Sequence, residues 1–130
     1  MMKGRILARL SAFFIGLTAA LHVVISGVEM FLWTRPWVYQ RLDLGLDDVQ
    51  ARTVAPIVQN AGLYNGFLAA GLIWGLFATR NAFGIRVFFL CCVIIAGIFG
   101  AITLKPTTLA IQSLPAAIAL TLTYLSRPRP

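Results

Sequence analysis

The sequence predicts an all-α integral membrane protein, a bundle of four transmembrane helices. Three observations carry that prediction. The 130 residues are 59% hydrophobic with a mean hydropathy of +0.85, whereas a soluble domain averages roughly 45–50% apolar residues. The excess is gathered into four runs, each approaching the roughly 20 residues that a spanning helix needs. The charges, net +7, flank those runs instead of covering a polar domain. One domain over residues 1–130 is expected, with no room for a soluble catalytic module.

The first run extends from about Leu10 to Trp33 (LSAFFIGLTAALHVVISGVEMFLW) behind Lys3, Arg5 and Arg9. Its start imitates a signal peptide, with Thr18-Ala19-Ala20 as a poor cleavage site. The apolar region of a signal peptide is only roughly 7–15 residues. Here it continues through Trp33, so it reads as an uncleaved first helix. The only long connection follows, Thr34 to Gln59. It opens with Trp37 and Tyr39, side chains suited to a membrane interface. It then mixes Leu42, Leu44, Leu46 and Val49 with Asp43, Asp47, Asp48 and Arg52. That mixture predicts a short amphipathic helix on the membrane surface, with Asp47 or Asp48 as its cap.

The second helix is expected over about Asn60 to Ala78, the third over Val87 to Leu104 and the fourth over Leu109 to Leu125. The loops between them, Thr79 to Arg86 and Lys105 to Thr108, are short and make sequential helices antiparallel neighbours. Small residues predict close helix approach: Gly62, Gly66, Ala69, Ala70 and Gly75 on the second helix, and Gly97, Gly100 and Ala101 on the third. Gly62-xxx-Gly66 fits the small-xxx-small pattern, read first as intramolecular packing and second as a homodimer seam.

Charge sets the orientation. The N-terminus, the loop around Arg80 and Arg86, and the C-terminus with Arg127 and Arg129 hold seven basic residues and no acidic one. The remaining loops hold four basic residues against three aspartates. The first set is therefore cytoplasmic, which puts both termini inside and the long loop outside. Because the basic residues flank apolar runs, they do not read as a nucleic-acid surface. Cys91 and Cys92 are neighbours inside an apolar run, where helical geometry turns them about 100° apart and disfavours a mutual disulfide. No Cys/His spacing suits a metal. His22 has no evident second axial ligand and no Cys-x-x-Cys-His, so no haem or other cofactor is expected.

The polar residues within the runs carry the functional reading. Thr18, His22, Ser26, Glu29 and Trp33 recur at spacings of three and four and form one stripe on the first helix. A polar stripe on an apolar helix faces protein or water, not lipid. Asn60 and Tyr64 share a face of the second helix with Asn65 one position round. The third ends with Thr103 and Lys105, and the fourth begins with Gln112 and Ser113. With both termini inside, Ser26, Glu29, Asn60, Tyr64, Asn65, Thr103, Lys105 and Gln112 all fall in the outer half of the membrane, with His22 at the floor. A pocket opening outward is predicted. Polar glue between helices is the competing explanation, at around 0.6 kcal/mol per bond. Glu29 favours the pocket, because a carboxylate at depth costs roughly 2.5–3.5 kcal/mol on insertion scales.

Several stretches together resemble a known family: Glu29-Met30-Phe31-Leu32-Trp33 after His22, Gln59 through Gly66 (QNAGLYNG), Ala96 through Ala101 (AGIFGA), and Gln112-Ser113-Leu114-Pro115-Ala116. They resemble the small bacterial four-helix membrane proteins grouped as domain of unknown function thirteen-oh-four. The resemblance implies the four-helix fold and the bacterial inner membrane, and no activity.

The first functional expectation is a protein that binds a small hydrophobic or amphipathic molecule of the lipid, quinone or isoprenoid class. Glu29 would anchor its polar head, and Ser26, Asn60, Tyr64, Asn65, Thr103 and Gln112 would orient it beneath Trp33. The second is a proton-transfer enzyme, isomerase-like, with Glu29 or His22 as base and Tyr64 as acid. The third is a small proton-coupled transporter or accessory subunit. Transport is disfavoured because the polar residues stop at His22.

Overall fold

A computed structural model describes residues 2–42 and 44–127, so Asp43 and Arg129 of the charge pattern above lie outside the described residues. Everything described is helical or connecting, with no strand among those residues. The elements are α1 (Met2–Gly27), a π turn (Val28–Leu32), α2 (Pro36–Tyr39) running into a 3₁₀ turn (Gln40–Leu42), α3 (Asp48–Phe77), α4 (Ala82–Thr103), a second π turn (Leu109–Ser113) and α5 (Leu114–Leu125). The chain divides into two compact units: His22–Phe67, and Met1–Leu21 together with Leu68–Pro130.

Sequence chemistry explains the helix ends. The first helical run stops ahead of Pro36, and Arg35, the residue before that proline, is extended at φ −80°, ψ 129°, the conformation a following proline imposes. Proline then opens α2 at its first position, where its missing N–H costs nothing. α3 begins earlier than expected. It starts at Asp48 instead of near Asn60, so the predicted surface helix and the second apolar run are one helix of 30 residues. The cause is a reciprocal cap. Gln50 N–H donates to Asp47 Oδ1 at 2.7 Å, and Asp47 N–H donates to Gln50 Oε1 at 3.0 Å, satisfying two donors that a helix start otherwise leaves open. Pro56 is accommodated inside α3, where it leaves the Arg52 carbonyl without its usual intrahelical donor. α1 also begins before its apolar run, at Met2.

Two helices are long and apolar enough to cross a membrane: Met2–Leu32, which includes the π turn, and Ala82–Thr103. Leu109–Leu125 is a shorter apolar helix.

The core of the larger unit draws on four helices: Ile15 and Ala19 of α1, Leu72 of α3, Leu90 and Val93 of α4, and Ala116 and Ala119 of α5. Its buried polar groups are paired internally. Ser11 and Thr123 hydroxyls bond to each other at 2.8 Å across 112 residues of chain. Arg86 Nε donates to the Gly75 carbonyl at 2.6 Å, so a guanidinium covers carbonyls that α3 leaves open at its C-terminal end. At the second π turn, Ser113 Oγ donates to Ile94 O at 3.0 Å. Pro115, just after the turn, cannot donate to the carbonyl four residues back, which favours the wider turn there.

The core of His22–Phe67 is built around aromatic side chains. Trp33, Val38, Tyr39, Ala51 and Ala55 are buried together, with Val28, Leu32, Leu46, Val54 and Val58 packed against them. The small residues Ala51 and Ala55 lie one turn apart on α3 and leave room for the rings.

Candidate ligand-binding site

Glu29 is the second residue of the first π turn. Insertions of this kind into helices occur often at functional sites. Asn65 Nδ2 of α3 donates to Glu29 Oε2 at 2.8 Å, so the amide fixes one carboxylate oxygen. Gly62, one turn before Gly66 on α3, makes this approach possible. A Cβ added at Gly62 would lie 2.9 Å from Glu29 Cβ and 2.8 Å from Met30 Cγ, closer than carbon atoms tolerate. The close approach expected of Gly62-xxx-Gly66 is thus intramolecular, between α3 and the turn that carries Glu29.

Glu29 lines a cavity of about 360 Å³ within His22–Phe67. Its other walls are Val24, Ile25, Val28, Trp33, Trp37, Val38 and Arg41. The size and mostly apolar lining suit a small molecule with a polar end. Trp33 is held in place by its own hydrogen bond, Nε1–H to the Ala51 carbonyl at 2.9 Å, and its ring lies 6.5 Å from that of Tyr39. The Tyr39 hydroxyl donates to Asp48 Oδ1. This bond ties the short helix α2, whose neighbours Trp37 and Val38 wall the cavity, to the first turn of α3. The hydrogen bond to the Asp48 carboxylate holds the Tyr39 phenol above its ordinary pKa of 10.0, because losing the proton would place two negative charges side by side.

The other residues expected at the site are distributed as follows. Trp33 lines the cavity, and Asn65 reaches it through Glu29. Ser26 is half-buried and donates to Met30 Sδ at 3.6 Å. Asn60 and Tyr64 share a face of α3, as their spacing requires, and that face is exposed. The Tyr64 ring meets Phe67 edge-on at 6.0 Å. His22 is fully buried in α1 and, like Tyr64, does not line the cavity. Thr103 and Gln112 belong to the other unit. There Thr103 Oγ1 donates to the Phe99 carbonyl in its own helix at 2.8 Å, and Gln112 is half-buried in the second π turn. No group of three or more metal-binding side chains occurs among the described residues.

Sequence reasoning missed most of the cavity wall. Val24, Ile25, Val28 and Val38 are apolar, and a search for polar residues passes over them. The available signal was helical spacing: Val24 and Val28 are four apart, as are Ile25 and Glu29, so this apolar strip borders the carboxylate. Arg41 was counted only for loop charge.

An uncharacterized protein of Lactococcus lactis, YpaA, is 24% identical over 96 residues, which is 74% of this chain and 81% of the relative. No solved structure matches. Residues 16–124, which contain every residue of the cavity and both π turns, match the family described as protein of unknown function (DUF1304), and the chain belongs to that family.

Proposed function

We propose that this is a multi-pass protein of the bacterial inner membrane that binds a small amphipathic molecule in the Glu29 cavity. One observation carries the reading. A carboxylate, oriented by an amide at 2.8 Å, lies in the wall of a cavity that is otherwise formed by valine, isoleucine and tryptophan, with an arginine. Few placed polar groups in an apolar cavity are the usual composition of a small-molecule site.

The membrane setting is supported by what the helices leave uncovered. Phe13, Val24 and Phe31, on α1 and the π turn that continues it, and Phe88, Ile95, Phe99 and Ile102 on α4 are each more than half exposed. Contiguous apolar surface on that scale is unfavourable in water. We assign spans to α1, the apolar part of α3, α4, and α5 with its preceding π turn. The basic residues Lys3, Arg5, Arg9, Arg80, Arg86 and Arg127 then lie on the cytoplasmic side. On that assignment Trp37, a cavity residue that is 57% exposed, would lie near the outer interface, where tryptophan is favoured.

The proton-transfer alternative asks for Glu29 or His22 as base and Tyr64 as acid; Glu29 lines the cavity, but His22 and Tyr64 do not. Binding is therefore preferred to turnover. The test is native mass spectrometry of protein released from membranes in mild detergent, wild type beside Glu29→Gln. A small molecule held by the wild type and lost by an equally stable variant is the expected result. A bare wild type with an unchanged, stable variant would overturn the binding function.

A further inference from the structure

The cavity walls hold a carboxyl and a guanidinium that are not ion-paired with each other. Glu29 and Arg41 both line the same space, yet no ion pair joins them, and among the described residues Arg41 makes none at all. Glu29 Oε2 receives the Asn65 amide, which leaves Oε1 and further lone pairs available. Arg41 presents up to five donors in a planar fork suited to an oxyanion.

We infer that the ligand carries a zwitterionic head, an amine and an acidic oxyanion such as a phosphate, on one apolar tail. The inference rests on the binding function proposed above and adds the chemistry of the head. Filling the cavity removes water from half-buried Glu29 and from the cavity-facing side of Arg41, which is otherwise exposed, and a polar group that loses water without gaining a partner is unfavourable. A neutral head leaves both uncompensated. A purely anionic head pairs with Arg41 but brings a like charge toward Glu29, and a purely cationic head has the reverse fault. A zwitterion satisfies both: its ammonium donates to Glu29, and its oxyanion accepts a paired bond from Arg41. Two lining indoles, Trp33 and Trp37, suit the ammonium, since attraction of a cation to an aromatic face is largest for tryptophan. Val24, Ile25 and Val28 provide the apolar wall for the tail, and Val24 is 62% exposed, so a chain longer than the cavity can continue along the lipid-facing side of α1.

The test is a set of probes titrated against the full chain in a neutral maltoside detergent, read by tryptophan fluorescence. The probes are lysophosphatidylethanolamine, lysophosphatidylglycerol, an alkylamine and an alkyl alcohol of matched chain length, and tail-less phosphoethanolamine. The zwitterionic lysolipid is expected to bind at least about tenfold tighter than either singly charged amphipath, a gap of roughly 1.4 kcal/mol. Arg41→Gln should reduce it to the level of the alkylamine, and Glu29→Gln to that of lysophosphatidylglycerol. Phosphoethanolamine alone should bind far more weakly, and equal binding would identify a soluble aminophosphate and overturn the tail. Arg41→Lys and Glu29→Asp keep the charges and serve if either glutamine variant fails to fold; they should retain part of the preference. If the alcohol binds as well as the zwitterion, the charged head is wrong while the amphipath cavity stands. If no probe binds and the wild type is bare in the mass spectrometer, the cavity function falls as well.

Discussion

The π turn at Val28–Leu32 and the π turn at Leu109–Ser113 each press against a glycine of a neighbouring helix. At the first, the glycine is Gly62 of α3; at the second it is Gly97 of α4. In each a side chain of the turn is fixed by a hydrogen bond to the helix it faces. The outcomes differ because the partners differ. Ser113 is buried and donates to a main-chain carbonyl, Ile94 O, which leaves its one proton committed. Glu29 receives a side-chain amide and keeps lone pairs free toward a cavity. A widened helical turn is therefore not a site in itself. It becomes a candidate when the group it displays has more bonding capacity than its neighbours use.

The largest expected effect is at the closed turn. Alanine at Gly97 would bring its Cβ within 2.2 Å of Ser113 Oγ and 3.0 Å of Ser113 N. Overpacking of this kind costs typically about 1–3 kcal/mol, and displacing the Ser113 hydroxyl adds its bond. Gly97→Ala should lower the melting temperature in detergent more than Gly62→Ala, where the nearest atoms, Met30 Cγ at 2.8 Å and Glu29 Cβ at 2.9 Å, are less crowded than Ser113 Oγ at 2.2 Å. Gly62→Ala should instead act on retention of the bound molecule, because Glu29 must shift. The reverse ranking would break the comparison.

Asn65→Ala comes next. It releases Glu29 without opening the core, so retention of the native ligand should fall about tenfold, the equivalent of roughly 1.4 kcal/mol, with little change in melting. A large melting change with intact retention would make the Glu29–Asn65 bond structural. Ser113→Ala sharpens the other side. It removes one bond inside the closed turn, and bonds of this kind average about 0.6 kcal/mol between membrane helices. Melting should fall slightly, and ligand retention should not change.

The smallest effect is expected at Tyr39→Phe, which unties α2 from Asp48. The Tyr39 pKa is raised in the folded protein, so its contribution is fully present below the ordinary phenol value of 10.0 and is lost as pH rises through the higher folded value. Melting measured from neutral to strongly alkaline pH should decline more steeply above pH 10.0 for the wild type than for the phenylalanine variant. Parallel curves would remove Tyr39 from the account.

Much of this was legible in the sequence, for identifiable reasons. The helices followed from apolar runs, whereas the part of Pro36 in ending the first emerged with the structure. Asp47 was recognisable as a cap, though its reciprocal bond with Gln50, and hence the true length of α3, was not. Glu29 and Asn65 were both singled out as polar groups within apolar runs, but that the amide of one meets the carboxylate of the other is a tertiary fact. The cavity wall was not legible. Whether Val24 and Val28 border an empty space or a packed neighbour depends on side chains distant in sequence. The face shared by Asn60 and Tyr64 was correctly read from spacing. Which direction that face points is a tertiary fact that periodicity does not contain.

The division of the chain also sets an order in time. Every residue lining the Glu29 cavity falls within the contiguous stretch His22–Phe67, so a ribosome working from the N-terminus delivers all of it before Leu68. The other unit is assembled from both ends of the chain, and Ser11 waits through 112 residues for Thr123. Local contacts close quickly and distant ones slowly. The cavity can therefore form while α1's N-terminal half still lacks the partners that complete its core.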